Sequence, residues 1–330
     1  MSFFLIPVEG LRIVAKLNAL SEKLETKMKS IKFHQNTAEV FIPDDVPLKD
    51  ALTRTTHLCI AAHQDDIEIM AASPIVECFQ QEDKWFAGVV VTDGRGSART
   101  GIYENYTDEK MRLVRFREQY KAATIGEYAA QIMLDYPSRM IKDAKNTSSV
   151  EDIISILKVT NPSVVYTHNL ADKHESHVGV VLKVINAIRN LCSGPDRFSP
   201  SDTDGDFAKP VRSQLTKLYG CEVWRDLDWM RDSEKVILNT SKQSNLQSAL
   251  LGVFDSQISG GKRYDLATMG RRLANATYFS SHTVDNETGL NYAMDLTPLV
   301  ENPDLDIQKF ALDFIKNFSD DVENLIADLS

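Results

Sequence analysis

Five short runs of mainly apolar residues, separated by helix-length segments, constrain the fold of this 330-residue chain more than any other feature. The runs predict strands over residues 57–62, 86–92, 131–134, 163–168 and 217–224. The segments between them, such as 108–126 and 148–160, carry the apolar spacing and end signals of helices. Continuous apolar strands that alternate with helices are typical of a parallel sheet covered on both faces. We therefore expect an α/β fold with a doubly wound, mainly parallel sheet.

The flanking regions are expected to be helical additions to this unit. Residues 1–50 are predicted to be an N-terminal helical extension, because apolar residues recur at helical spacing over 11–28. Residues 51–285 would form the main domain. Within it, about 192–212 is rich in Ser, Asp, Pro and Gly and is expected to be a flexible insertion. Residues 286–330 are expected to be a C-terminal helical segment packed on the domain.

Composition narrows the classes of partner. The net charge of −10 argues against non-specific binding to nucleic acid or to an anionic membrane. No apolar run approaches the roughly 20 residues of a membrane span, and the first residues lack the basic region of a signal peptide. The four cysteines are far apart and form no CxxC pair, as expected of reduced thiols. We expect a cytoplasmic protein that acts on a small molecule.

Two clusters of charged residues and histidines follow the first and fourth predicted strands. The sequence AAHQDDIE spans 61–68 and ADKHESH spans 171–177; with His168 they contain four of the seven histidines. In the common strand order 3-2-1-4-5, strands one and four are neighbours where the order reverses. Ligands bind at that point, beyond the carboxyl ends of the strands. The two clusters are therefore predicted to face each other across one crevice.

The residue types in this crevice suit a catalytic metal. Zinc in such sites commonly takes three ligands from His and carboxylate and leaves one position open. His63 and Asp66 can converge if the chain turns helically after the strand, and His177 could be the third ligand. Asp65 would then be free to act as general base. Each motif alone also fits a helix-capping acid pair or a solvated helix start, but their pairing at two strand ends favours the metal site.

The two motifs also resemble a known family. AAHQDDIE is similar to the AHPDDE motif of the PIG-L/LmbE-like N-deacetylases, and ADKHESH is similar to their DxHxDH motif. Weaker similarities, such as VVVTDGRG, RFREQYKAATIG and EVWRDLDW, extend the resemblance over roughly 55–285. The family implies a Rossmann-like fold, a divalent metal that is usually zinc, and hydrolysis of an N-acetyl group, typically from an amino sugar. Some members form trimers or hexamers, so a homo-oligomer is expected.

The resemblance assigns roles to individual residues. His63, Asp66 and His177 match the metal ligands, and Asp65 matches the general base. His174 matches a histidine that stabilises the oxyanion or protonates the leaving amine, and Arg115 matches an arginine that contacts substrate. The sequence departs from the motifs at four positions: Gln64 and Glu175 replace prolines, Ile67 replaces a glutamate and Ser176 replaces an aspartate. The loss of that aspartate removes a carboxylate partner of His174, for which Asp172 could substitute.

The turn after the second strand, TDGRGSARTG, supplies the remaining candidates. It lacks the GxGxxG spacing of a dinucleotide site. Asp93 or Arg95 could instead contact a polar substrate, or the segment could be a solvated turn. We thus expect a zinc-dependent hydrolase that removes an N-acetyl group from a small polar substrate, with water attacking and Asp65 as base. Another divalent transition metal, another acyl group or secondary metabolite, and a non-catalytic sugar-binding protein on the same fold stay open as alternatives.

Overall fold

The computed structural model describes residues 31–193, 215–259, 261–280, 284 and 286–330. The predicted N-terminal helix and most of the predicted insertion lie outside these residues. No helix within the described ranges combines the length and apolar character that a bilayer crossing requires.

The described residues form one eight-stranded sheet. Its strands are β1 Glu39–Phe41, β2 His57–Ala61, β3 Phe86–Thr92, β4 Ala130–Tyr136, β5 Val164–His168, β6 Lys217–Cys221, β7 Lys235–Asn239 and β8 Leu290–Asp295. The order is β1-β4-β3-β2-β5-β6-β8-β7. The five strands from β4 to β6 are parallel, whereas β1 and β8 run antiparallel to their neighbours. The five predicted strands and their relative order are confirmed.

Helices follow the strands in alternation. They are α1 Leu48–Thr53, α2 Asp66–Met70, α3 Ala72–Cys78, α4 Asp108–Ile125, α5 Ser138–Lys142, α6 Ser148–Thr160, α7 Glu175–Ser193, α8 Ser244–Gly252, α9 Asp255–Ile258, α10 Tyr264–Tyr278, α11 Thr297–Glu301 and α12 Ile307–Leu329.

Alternation along the central strand divides the core between the two faces of the sheet. Leu58 and Ile60 of β2 join one apolar cluster, which α6 and α7 cover. Cys59 and Ala61 join another, which α2, α4 and α8 cover. Successive side chains of a strand point to opposite faces, so a strand buried on both sides is apolar throughout. The mainly parallel, doubly wound, Rossmann-like architecture is confirmed.

Three strands were not foreseen from the sequence. β1 lies in the part expected to be helical and adds an edge strand beside β4. β8 begins the C-terminal segment that was expected to be helical, and it lies inside the sheet between β6 and β7. β8 contains polar residues that break the apolar pattern. Asn291 is buried there, and its side chain forms hydrogen bonds with Arg272 and Glu222.

The C-terminal helix α12 packs on the domain over only part of its length. Phe310 and Phe314 contact the core, and Arg231 forms an ion pair with Asp321 at 2.6 Å. Every residue from Asp321 onward is exposed, including Leu325 and Leu329.

Candidate active site

The end of β2 turns at once into the first half of the site. Asp66 begins α2, and its Oδ2 accepts the backbone N–H of His63 at 2.7 Å. This contact folds the segment back so that both side chains face the same side. Asp65, between them, has a φ of 89°, a left-handed conformation that is uncommon for a residue other than glycine. Such backbone conformations cluster at functional sites, where the surrounding structure holds them.

The loop after β5 supplies the second half, and Asp172 organises it. Its Oδ1 accepts the backbone N–H of His174 at 3.0 Å, and its Oδ2 accepts that of Trp224 at 3.1 Å. The same Oδ1 lies 3.4 Å from Nδ1 of His177, which is in the first turn of α7. The buried carboxylate of Asp172 therefore orients the imidazole of His177 and fixes the backbone at Trp224. It contacts the backbone of His174, not the ring.

Three predicted ligands converge across the switch point between β2 and β5. The Nδ1 of His63, the Oδ2 of Asp66 and the Nε2 of His177 form a triangle whose sides are each 3.2 Å. Ligands about 2.0–2.1 Å from a tetrahedral ion would lie roughly 3.3–3.4 Å apart. The donor set is His, His and carboxylate, which suits zinc and several other transition metals. The residues present therefore fit a divalent ion.

His168 lies beside this triangle, but the lone pair of its Nε2 is already used in a hydrogen bond. The backbone N–H of Ala62 donates to this nitrogen at 2.8 Å, so the buried ring of His168 holds the end of β2 in place. Glu68 lies behind the site and contacts Tyr128 and Gln119, each at 2.8 Å. These contacts occupy the Nε2 of His168 and the Oε1 of Glu68.

Asp66 and His177 of the triangle stabilise each other's charged form. Burial would raise the pKa of Asp66, but the positive charge of His177 and hydrogen bonds from His177 and His63 hold it well below its usual range. Burial alone would lower the pKa of His177, yet the charge of Asp66 and hydrogen bonds to Asp172 and Asp66 raise it to about 9. Asp66 is thus anionic, and cations are favoured at this point.

Asp65 adjoins the triangle in a different environment. Burial raises its pKa to about 7, with the Arg115 charge opposing the shift and the Asp66 charge adding to it. The Nη2 of Arg115 lies 3.3 Å from Oδ1 of Asp65 and also donates to the carbonyl of Gln64. On the other side, the N–H of Asp65 donates to Oε1 of Gln119 at 3.3 Å.

Arg115 lines the pocket, but its guanidinium is largely engaged by the protein. It is 2% exposed and, besides Gln64 and Asp65, contacts Glu118 and Ser256 at 3.4 and 3.3 Å. These contacts brace the strained turn at Asp65.

The imidazole of His174 faces the cavity beside the triangle. Its ring centroid lies 4.8 Å from that of His63 and 4.9 Å from that of His177. Burial and the neighbouring charges of His63 and His177 lower its pKa to about 4. Its Nδ1 accepts the backbone N–H of Ser176 at 3.3 Å, so in the neutral ring Nε2 carries the proton. The backbone of Ser176 thus orients the ring where the motif usually has an aspartate.

The candidates in the turn after β3 lie apart from these groups. The carboxylate of Asp93 is buried and pairs with Nε of Arg95 at 2.6 Å, so the two hold the turn together. Gly94 and Gly96, rather than these side chains, line the cavity.

The cavity above the triangle has a volume of about 440 Å³. One wall comes from the end of β6 and from α9 and α10, and it includes Trp224, Gln257, Tyr264 and Arg271. Trp224 lies in EVWRDLDW, one of the weaker similarities noted in the sequence. Gln257 and Tyr264 were missed, because no motif spacing links α9 or α10 to the two metal motifs.

One family model matches part of the chain. Residues 58–188 match the model of the PIG-L family, GlcNAc-PI de-N-acetylase. The matched part is about two fifths of the chain. It includes both halves of the site, whereas the wall formed by α9 and α10 follows the matched range. No curated protein sequence matches the chain.

Solved structures share the fold of this protein at low sequence identity. The N,N′-diacetylchitobiose deacetylase from Pyrococcus horikoshii is 14% identical, with a TM-score of 0.56 over 76% of this chain and 86% of that one. The 4-carboxy-2-hydroxymuconate hydratase from Pseudomonas putida KT2440 is 15% identical, with a TM-score of 0.54 over 73% and 95%. These likenesses show the fold alone. Since the two names describe different reactions, the function must be argued from the site.

Proposed function

We propose that this protein is a metal-dependent N-deacetylase that acts on a small polar substrate, an N-acetyl amino sugar or its conjugate. The observation that carries the proposal is the 3.2 Å triangle of His63, Asp66 and His177 with Asp65 directly beside it. The PIG-L match supports hydrolysis of an N-acetyl group as the reaction class.

His63, Asp66 and His177 would hold the ion, which we propose is zinc. When bound there, a divalent ion supplies Lewis-acid chemistry, which lowers the pKa of water and polarises a carbonyl oxygen. Asp172 keeps the Nδ1 of His177 directed at a carboxylate, so that Nε2 faces the site.

Asp65 is the proposed general base. It accepts a proton from the attacking water, and Arg115 and Gln119 hold it in place. The Nε2–H of His174 donates a hydrogen bond to the oxyanion that forms at the acetamide carbon. Because Nδ1 of His174 already accepts the N–H of Ser176, this ring is a neutral donor with a single N–H. Asp65, protonated in the first step, therefore returns the proton to the leaving amine.

The test combines metal analysis with an acetate-release screen over N-acylated sugars and peptides. We expect close to one divalent ion per chain and release of acetate from an N-acetyl sugar. Asp65→Asn should keep the metal and lose about 10²- to 10⁴-fold in kcat, the usual contribution of a general base. Protein that binds no metal contradicts the proposal. Metal-loaded protein that binds sugars but releases no acetate indicates the non-catalytic alternative, and release of another acid indicates a different acyl specificity.

A further inference from the structure

The far wall of the cavity carries the guanidinium of Arg271. Arg271 of α10 lines the cavity and donates to the backbone carbonyls of Val223 and Trp224. Within the described part of the chain, it makes no ion pair. The nearby carboxyl of Glu222 is buried and accepts the side-chain N–H of Asn275 at 2.6 Å. The guanidinium has further N–H groups for a ligand.

Trp224, whose backbone carbonyl Arg271 contacts, lies beside His174 at the candidate metal centre. The indole of Trp224 has its centroid 6.4 Å from that of His174, which in turn lies against His177. Tyr264 contacts the indole edge-on at 5.9 Å, and the ammonium of Lys262 lies 4.7 Å from its centroid. The wall therefore presents an aromatic surface with two cations beside it, in a chain whose net charge is −10.

We propose that Arg271 binds an anionic group of the substrate, so that the preferred substrate is an N-acylated compound with a carboxylate or phosphate near its amide. The inference rests on the proposed function for the position of the acyl group. A planar guanidinium matches both anions through paired hydrogen bonds, and its partial enclosure by the cavity strengthens the attraction. With the acyl group at the triangle, the body of the substrate would lie against Trp224 and its anion at Arg271.

Three compounds test the charge requirement: N-acetylglucosamine, which is neutral, N-acetylglucosamine 1-phosphate and N-acetylmuramic acid, which carries a carboxylate. Acetate release is measured with metal-loaded wild type, Arg271→Met and Arg271→Lys. Arg263→Met is the matched control, because Arg263 is exposed and already paired with Asp265 at 2.7 Å. Wild type is expected to favour at least one anionic compound by about 10- to 100-fold in kcat/KM, the range of a hydrogen bond to a charged group.

Arg271→Met should bring the ratio of anionic to neutral kcat/KM close to one, mainly through KM, and Arg271→Lys should restore part of it. Arg263→Met should keep the wild-type ratio. Which anionic compound is preferred distinguishes phosphate from carboxylate. Equal use of all three compounds by wild type overturns the proposal, as does an Arg271→Met variant that loses neutral and anionic turnover equally.

Calorimetric titration of the same compounds separates this proposal from the deacetylase itself. Selective binding of an anionic compound that Arg271→Met abolishes supports the anion site even if no acetate appears, in which case only the deacetylase proposal fails. Binding that ignores charge, or no binding of any compound, overturns the anion site even if acetate is released.

Discussion

Removing the charge of Asp172 gives the sharpest test of how the metal site is organised. Its carboxylate accepts two backbone N–H groups, at 3.0 and 3.1 Å, and lies 3.4 Å from Nδ1 of His177. In Asp172→Asn one oxygen becomes an NH₂ group, which cannot accept any of these hydrogens. The imidazole of His177 also loses the anion that supports its basicity.

The expected result is weaker metal binding by a folded protein. Loss of a carboxylate behind a histidine ligand typically costs 10- to 100-fold in metal affinity, which corresponds to about 1.4–2.7 kcal/mol. Zinc affinity is measured by competition with a chromophoric chelator, and circular dichroism checks the fold. Asp143→Asn is the control, because exposed Asp143 also accepts a backbone N–H, at 2.9 Å from Lys145, but lies away from the triangle. A folded Asp172→Asn protein with wild-type zinc affinity would refute the reasoning.

Three further predictions concern other side-chain contacts. Arg115→Lys keeps the charge but loses the fork that braces Asp65, so kcat should fall by about 10- to 100-fold with KM little changed; a rise confined to KM would identify a substrate contact instead. The hydrogen bond to Asp152 raises the pKa of His34, so its stabilising effect is full below pH 6.5 and is lost as pH rises through the raised value. The gap in Tm between wild type and His34→Asn should therefore be wider at pH 6 than at pH 8.5, and a constant gap contradicts this. Glu222→Gln places an NH₂ group among N–H donors and should lower the free energy of unfolding by about 1–3 kcal/mol in chemical denaturation; unchanged stability would show that the amide finds acceptors there.

The sequence predicted the central sheet well because its five parallel strands are buried on both faces. Such strands must be apolar throughout, and their alternation with helices restricts the order in which they pair. β8 follows no such rule, since Asn291 is buried beside Glu222 and Arg272 and its polarity is satisfied only by tertiary contacts. β7 is short and half exposed, so its pattern is weak.

The sequence likewise predicted only part of the site. The proximity of His63 and Asp66 to His177 follows from the strand order, since the carboxyl ends of adjacent parallel strands lie at the same edge of the sheet. The sequence could not show that the Arg115 guanidinium points at Gln64 and Asp65, because helix α4 could have turned that side chain in several directions. Nor could it place α10 against the cavity.

Asp172 contacts both the imidazole of His177 and the backbone at position 224. It holds position 224 through the backbone N–H, which every residue except proline possesses, and not through the indole. The side chain at 224 can therefore change in size or polarity while the contacts of Asp172 with the backbone and with His177 stay intact. If the proposed function holds, the substrate range is open to redesign, or to evolutionary drift, at a position whose variation leaves the contact between Asp172 and His177 unaltered.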